Sequence, residues 1–454
     1  MAIVGVAALL GLWSLGADAQ TFEAALAQAY MTNPVLEAQH AQLRATDELV
    51  PQARAGYRPV MTASGSYGFE YSDGWKPSIA GAPPSTTRTD LRPSTFALQL
   101  TQPIYHGGSI AASVAGAENK VQAQRANVMT AEEQVLLNAA TAFLDVVRDQ
   151  SIVDLTTSNE QVVARQLEAT GSAFRIGSVT QTDVSQAESR RAGATATRIQ
   201  AQGNLTISRA AFQRTVGTIP GELAAPHPAL VLPASLAEAI QAAQDDNPQV
   251  TAAQYSEAAS RNAIDQDLGK LLPQIDFTAS VIRSNDYKLQ GDRLNNAVVM
   301  AQVTFPLYDA GLVPSEVRQD REATAEDQVR IDDIKRQVAR SATSAWQAVA
   351  TARANIQSYH SSVAAAAIAL EGVRQELRVR TRTTLDLLNA QQELLNAQVN
   401  LVTAVHDELV AQFQLLYATG ALSARQLNLP VPYFDPDANE RNVRDRWWGT
   451  ASLP

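Results

Sequence analysis

The chain has 454 residues, 36 Lys and Arg against 46 Asp and Glu, and a formal net charge of −10. That acidic balance argues against a nucleic-acid binder, which needs a basic face. The absence of cysteine excludes disulfides, thiolate metal sites, a Cys nucleophile and lipidation at an N-terminal Cys.

In chain order, MAIVGVAALLGLWSLGADAQ reads as a secretory signal peptide. Its apolar run ends on Ala17-Asp18-Ala19, an A-x-A cleavage pattern, although no basic residue precedes Arg44. The run is short for a membrane anchor, and no later segment reaches the ~18 consecutive apolar residues of a transmembrane helix. An exported chain of this kind can cross a membrane only as a β-barrel.

The rest of the chain is written twice. TFEAALAQAYMTNPVLEAQ (Thr21–Gln39) matches SLAEAIQAAQDDNPQVTAAQ (Ser235–Gln254), with Asn33-Pro34 on Asn247-Pro248 at an offset of 214. LTQPIYHGG (Leu100–Gly108) matches VTFPLYDAG (Val303–Gly311) at an offset of 203. That offset holds onward to Gly217 and Gly420. Eleven extra residues therefore sit between Pro59 and Pro103 of the first copy, and such an insertion marks a surface loop. The organisation expected is a signal peptide at 1–19, a first repeat at 20–217, a linker at 218–234, a second repeat at 235–420 and a C-terminal tail at 421–454.

Each copy reads as helix, two strands, very long helix, turn and returning helix. VMTASGSYGFEY (Val60–Tyr71) alternates, with Met61, Ala63, Gly65, Tyr67, Phe69 and Tyr71 on one face and Thr62, Ser64, Ser66 and Glu70 on the other. STFALQLT places Phe96, Leu98 and Leu100 together. In the second copy Ile275, Phe277, Ala279 and Val281 share a face, as do Val299, Ala301 and Val303. One apolar face and one face of hydroxyls and amides suits a membrane barrel strand; a half-buried soluble sheet alternates likewise. The loops Tyr71–Pro93 and Ser284–Asn296 are polar and turn-rich, as extracellular loops should be.

After the strands come two runs free of Gly and Pro, from Ala117 to Thr170 and from Ser315 to Glu371, each on the order of 80 Å as helix. Val114, Val121, Val128 and Val135 recur at heptad spacing, a coiled-coil seam. Each run ends in the same polar phrase. FRIGSVTQTDVSQAE (Phe174–Glu188) returns as LRVRTRTTLDLLNAQ (Leu377–Gln391). Four strands cannot close a barrel, so the barrel must be shared between chains. Three chains supply twelve strands and six helical hairpins, whereas a dimer's eight strands enclose an interior already filled by side chains.

The doubled tip phrases, the two Asn-Pro helix starts and the strand-ending QPIYHGG and FPLYDAG resemble the TolC family of outer-membrane exit ducts, over about Thr21 to Gly420. The tail VPYFDPDANERNVRDRWWG (Val431–Gly449) is similar to the ending of the branch serving type I secretion. The missing lipidation Cys is unlike the lipoprotein branch attached to drug pumps of the resistance-nodulation-division type. The resemblance implies a homotrimer, located in the bacterial outer membrane and extending into the periplasm, with a twelve-stranded barrel joined to a helical tunnel. It implies a periplasmic adaptor and an inner-membrane ABC transporter or proton-driven pump as partners, and a cargo of protein or small molecules. A multidrug efflux duct of the same fold is the alternative in function. A soluble periplasmic coiled-coil adaptor or scaffold is the alternative in class, but an adaptor has one hairpin per chain and a scaffold has no need of strands.

By the same resemblance Asp386 matches a gate aspartate, Arg382 the basic residue that ties the second tip to the first, and Asp183 its acidic partner. Asn389 stands where a second gate aspartate can occur, Arg380 replaces a tip Gly, and Leu377 replaces an aromatic. Three Asp386 carboxylates near a symmetry axis would raise each other's pKa and draw cations; the plainer role for Asp183 and Asp386 is capping the returning helices. Phe174, Gly177, Thr180, Leu377 and Thr383 form the expected adaptor-docking tips. Tyr67, Phe69, Tyr71, Phe96, Leu98, Phe277, Val281 and Val299 are the expected membrane-facing residues, with Trp75 joining Tyr67 and Phe69 in an aromatic belt. The five histidines (His40, His106, His227, His360 and His406) are scattered, and no HExxH, Walker A, GxSxG or GxGxxG pattern occurs. No enzyme activity, cofactor or metal site is expected.

Overall fold

The computed structural model describes residues 21–451 apart from 79, 80, 82, 222, 227, 229 and 380. The signal peptide read at 1–19, His227 and the expected gate residue Arg380 lie outside the described residues. Among the described residues no helix is long and apolar enough to cross a membrane.

The first copy opens with α1 (Phe22–Thr32), α2 (Pro34–Asp47) and α3 (Leu49–Arg54). Pro51 explains the break between α2 and α3, because it has no N–H to return to the Asp47 carbonyl. Strand β1 (Val60–Tyr67), the pair β2 (Glu70–Lys76) and β3 (Ser85–Leu91), and β4 (Ser94–His106) follow. Then come α4 (Ser109–Arg175) and α5 (Gln181–Val216). The second copy has α6 (Leu236–Asp245), α7 (Pro248–Lys270), β5 (Gln274–Asn285), β6 (Arg293–Thr304), α8 (Leu312–Arg378) and α9 (Thr384–Ala418). A short α10 (Ala438–Val443) lies in the tail. Helices α4 and α8 have 67 residues each, and their ends correspond at the offset of 203. At the helical rise each is about 100 Å long, more than the Gly- and Pro-free runs alone indicate.

The chain divides into two compact units, and each takes equivalent segments from both copies. One unit runs through Ala41, then Ala126–Thr251 and Asp333–Phe434. Its centre holds four phenylalanines. Phe22 meets Phe143 edge-on at 5.2 Å and Phe413 at 5.4 Å, while Phe143 meets Phe212 at 6.2 Å. All four are buried, and such pairs add about 0.5–1.5 kcal/mol each beyond area burial. The heptad seam is visible along α4, where Val121, Val128 and Val135 are buried and Val114 is half-buried.

The same hydrogen bond closes both copies in this unit. Asn33 Nδ2 donates to the Thr215 carbonyl at 3.0 Å, and Asn247 Nδ2 donates to the Ala418 carbonyl at 3.0 Å. Each asparagine also accepts from the backbone two residues on, through Val35 N and Gln249 N. The Asn-Pro phrase thus starts one helix and ties off the end of another. After α9 the chain docks on α4. Glu132 accepts from Ala424 N at 2.8 Å, and Glu133 accepts from the Leu422 N–H. Burial pushes the Glu133 carboxyl up to about 8, against the opposing pull of the Leu422 N–H and with a further push from Glu132. Glu132 is raised by burial too, offset by the Ala424 N–H and by Arg425.

The other unit comprises Gln42–Arg125, Ala252–Asp332 and the chain from Asp435 onward. Its four-stranded antiparallel sheet has the order β1-β4-β5-β6. The register joins the apolar residues of both copies. Met61 faces Leu100, Leu100 faces Ala279 and Ala279 faces Val299; Ala63, Leu98, Val281 and Ala297 form the next row. Since side chains alternate along a strand, these rows share one face. Met61, Tyr67, Phe96, Leu98, Phe277, Val281 and Val299 are all exposed on it. An uncovered apolar face this broad is unusual for a soluble monomer.

The first-copy insertion is more ordered than an irregular loop. It forms a two-stranded β2–β3 ribbon paired from Glu70–Leu91 to Lys76–Ser85, with an Arg88–Asp73 ion pair at 3.3 Å. Thr86, Thr87 and Thr89 favour strand through their branched Cβ. Tyr71 and Trp75 therefore belong to this separate ribbon, and Phe69 lies in the break before it. Of the expected membrane-facing set, these residues of the first strand fall outside the four-stranded sheet.

At the junction of β4 and α4, Gly107 adopts φ +64°, and a Cβ there would sit 2.1 Å from the Gly269 carbonyl oxygen of α7. Only glycine permits this approach of two backbones.

Candidate functional site

The two tips are built alike. Helix α4 ends with Gly177 N donating to the Phe174 carbonyl and with Gly177 at φ +74°. Ser178 then returns both its N–H and its hydroxyl to the Ala173 carbonyl, at 3.0 and 2.9 Å. Thr381 does the same to the Glu376 carbonyl at the end of α8, at 3.0 Å for both bonds. These bonds satisfy carbonyls that the last helical turn would leave orphaned.

Next comes a reciprocal capping box in each copy. Thr180 Oγ1 accepts from Asp183 N at 3.3 Å, and an Asp183 carboxylate oxygen takes Thr180 N and its hydroxyl at 2.8 Å. Thr383 and Asp386 repeat it at 3.2, 3.0 and 2.9 Å. A cap of this kind contributes about 0.5–2 kcal/mol of helix stability. The Thr383 N–H and hydroxyl, followed by the Arg382 charge, hold the Asp386 carboxyl below its ordinary value. Within one chain the shift thus opposes the rise expected from crowded carboxylates, which concerns several chains.

The expected Arg382–Asp183 pair does not form within the chain. Arg382 instead pairs with Glu376 of its own tip at 2.8 Å, and Asp183 is committed to Thr180. The contact that joins the two copies here is Arg190 Nη2 donating to Asn389 Oδ1 at 2.7 Å. Below it Ala187 of α5, Leu388 of α9 and Val163 of α4 form a buried cluster, with Leu167 packed against it. Asn389 therefore joins the second tip to the first, in place of the absent second acid. The sequence reading missed Arg190 and Glu376. A signal for Glu376 exists, since it and Arg382 flank one short turn with opposite charges.

Phe174 is exposed and Leu377 is half-buried. Two more apolar side chains were overlooked. Ile176 and Val379 stand at equivalent positions of the repeat and are 82% and 70% exposed. Each copy thus carries one bare aliphatic side chain beside its turn. Among the described residues neither tip holds a catalytic constellation, and no cluster of His, Asp and Glu is arranged to hold a metal ion.

The chain matches the family described as outer membrane efflux protein over residues 25–218 and 239–421. It belongs to that family. It is 34% identical to the outer membrane efflux protein BepC of Brucella suis biovar 1 (strain 1330), over 98% of this chain and 96% of that protein. Outer membrane protein TolC of Escherichia coli (strain K12) is 25% identical over 88% of this chain and 82% of its own length. The alkaline protease secretion protein AprF of Pseudomonas aeruginosa is 23% identical over 88% of this chain and 84% of its own. The fold superimposes on the outer membrane channel CmeC of Campylobacter jejuni with a TM-score of 0.78 at 13% identity, covering 93% of this chain and 89% of that one. The chain is thus an outer-membrane efflux channel of the TolC family and not an enzyme, and it is placed in the outer membrane and periplasm.

Proposed function

We propose that three copies of this chain form the exit duct of a tripartite export system. A periplasmic adaptor docks on the helical tips, and an inner-membrane transporter drives cargo into the duct. The observation that carries this reading is the doubled tip. Two turns closed by the same bonds each present an exposed aliphatic side chain, Ile176 and Val379, which no described residue covers. Six such tips in a trimer make a ring of equivalent apolar knobs, and apolar anchors ringed by polar groups are what protein partners bind. The Asp386 carboxylates line the mouth, and the Arg190–Asn389 contact holds the two hairpins of a chain together.

Efflux is the cargo class of this proposal, supported by the likeness to BepC. The alignment with BepC, an efflux protein by name, covers 98% of this chain and so takes in most of the tail. The tail therefore does not by itself separate secretion from efflux. Protein secretion is the second reading, supported by the likeness to AprF.

Deletion of the gene in its own host tests both readings. Intracellular accumulation of a fluorescent pump substrate should rise and be restored by the wild-type chain, but not by Ile176→Asp with Val379→Asp. A loss of extracellular protein with unchanged dye accumulation would put secretion first. No change in either export would refute the duct. In planar bilayers, Asp386→Ala should reduce cation preference.

A further inference from the structure

The tail carries two adjacent tryptophans, Trp447 and Trp448, that the proposed duct function does not use. Trp447 is 58% exposed and Trp448 is 86% exposed, yet the backbone that carries them is firmly held. Arg58 donates to the Arg446 carbonyl at 2.7 Å, and its guanidinium lies 4.9 Å from the centre of the Trp447 ring. Arg446 reaches forward to the Trp448 carbonyl at 3.1 Å and the Ala451 carbonyl at 2.9 Å. Upstream, Arg54 pairs with Asp445 at 2.7 Å, and Arg444 pairs with Glu118. Arg125 grips Asp437 at 2.5 Å and Glu440 at 2.6 Å. A segment tied at this many points presents its indoles by construction.

The place of attachment says what covers them. Arg58 stands two residues before Val60, where β1 begins. At the rise of a strand that is about 7 Å from the first membrane-crossing residue. The same end of the sheet carries other exposed aromatics: Tyr57 before β1, Tyr105 near the end of β4, and Phe305 and Tyr308 just past β6. The ends of barrel strands are where amphipathic rings sit at headgroup level. Guanidinium groups beside indoles suit lipid phosphates, and an indole offers an apolar body with one N–H donor.

We propose that Trp447 and Trp448 rest in the periplasmic headgroup layer of the outer membrane, so that the C-terminal tail is a lipid-anchored collar at the base of the barrel. This rests on the strands' crossing that membrane. The occupant is a phospholipid surface, because the site continues directly from the membrane-facing strands.

Wild-type protein and the conservative double variant W447F/W448F would be reconstituted in phosphatidylethanolamine–phosphatidylglycerol vesicles. Some vesicles would carry phospholipids brominated just below the headgroup. Resistance of both proteins to alkaline carbonate extraction from the vesicles shows that the strands are inserted, independently of the tail. The wild-type minus variant difference isolates the tail emission from that of every other tryptophan in the chain. The larger part of that difference should be lost to the brominated lipid, and little of it to aqueous acrylamide. Quenching by acrylamide alone would overturn the proposal, since the indoles would then face water. Shielding from both quenchers would also overturn it, because a neighbouring copy would then be the cover.

Discussion

Replacing Glu133 with Gln should stabilise the protein, and the gain should grow with pH. Glu133 is 3% exposed on α4, accepts the Leu422 N–H, and has its carboxyl pushed up to about 8 from 4.5. The folded state therefore binds a proton that the unfolded state has released between those values. With more protons bound in the folded state, stability falls as pH rises through this window and reaches its floor above the folded pKa. A shift from 4.5 to 8 corresponds to about 5 kcal/mol per chain at pH 9, about 3 kcal/mol at pH 7 and under about 1 kcal/mol at pH 5. Glutamine keeps an acceptor for the Leu422 N–H and cannot ionise, so Glu133→Gln should recover those amounts. For a chain of this length, about 5 kcal/mol moves the midpoint by about 5 °C. Thermal melts of wild type and variant in detergent, followed by far-UV circular dichroism from pH 5 to 9, read this directly. Two curves that diverge with rising pH support the assignment. A gap that is constant with pH, or a variant that melts lower at pH 9, would refute the buried neutral carboxyl.

Asn247→Ala leaves the Ala418 carbonyl and the Gln249 N–H without their partner in a buried site, so it should cost about 1–3 kcal/mol. Asn33→Ala should cost less, because its bond is only part-buried, and paired thermal melts give the order. Gly107→Ala drives a methyl into the Gly269 carbonyl at a positive φ, so about 4 kcal/mol or more should be lost. A thermal melt in detergent, set beside that of the wild-type chain, reads the loss. Arg190→Ala breaks the contact between the two tips of a chain, whereas Arg382→Ser breaks only a contact within one tip. Single-channel conductance should therefore rise more for Arg190→Ala, and the reverse order would contradict this account of the gate.

Much of this was legible in the chain itself. The heptad valines placed the seam because burial every seven residues is a property of one helix. The two T-x-x-D phrases were readable because a capping box spans three residues. Alternation gave the apolar face of β4, β5, β6 and of β1 as far as Tyr67, and the offset of 203 aligned the copies. The β2–β3 ribbon was not legible, since its Ser, Thr, Asp and Arg content also suits a loop and pairing supplies the missing term. The tip contacts failed for another reason. Arg382 meets Glu376 because six residues of one turn bring them together, whereas reaching Asp183 means crossing between copies. Arg190 meets Asn389 at an offset of 199, one helical turn away from the repeat's own 203, and only the packing of α5 on α9 decides that slip.

The equal length of α4 and α8, 67 residues each, makes the two copies rulers of one another. Removing one residue from a helix shortens it by about 1.5 Å and turns everything beyond by about 100°. One tip would then fall short of its counterpart and face the wrong way, and in the trimer proposed above the ring of knobs would lose every second member. The first copy could lengthen by eleven residues between its strands without such a consequence. Change in length is thus free between β1 and β4 and forbidden along α4 and α8.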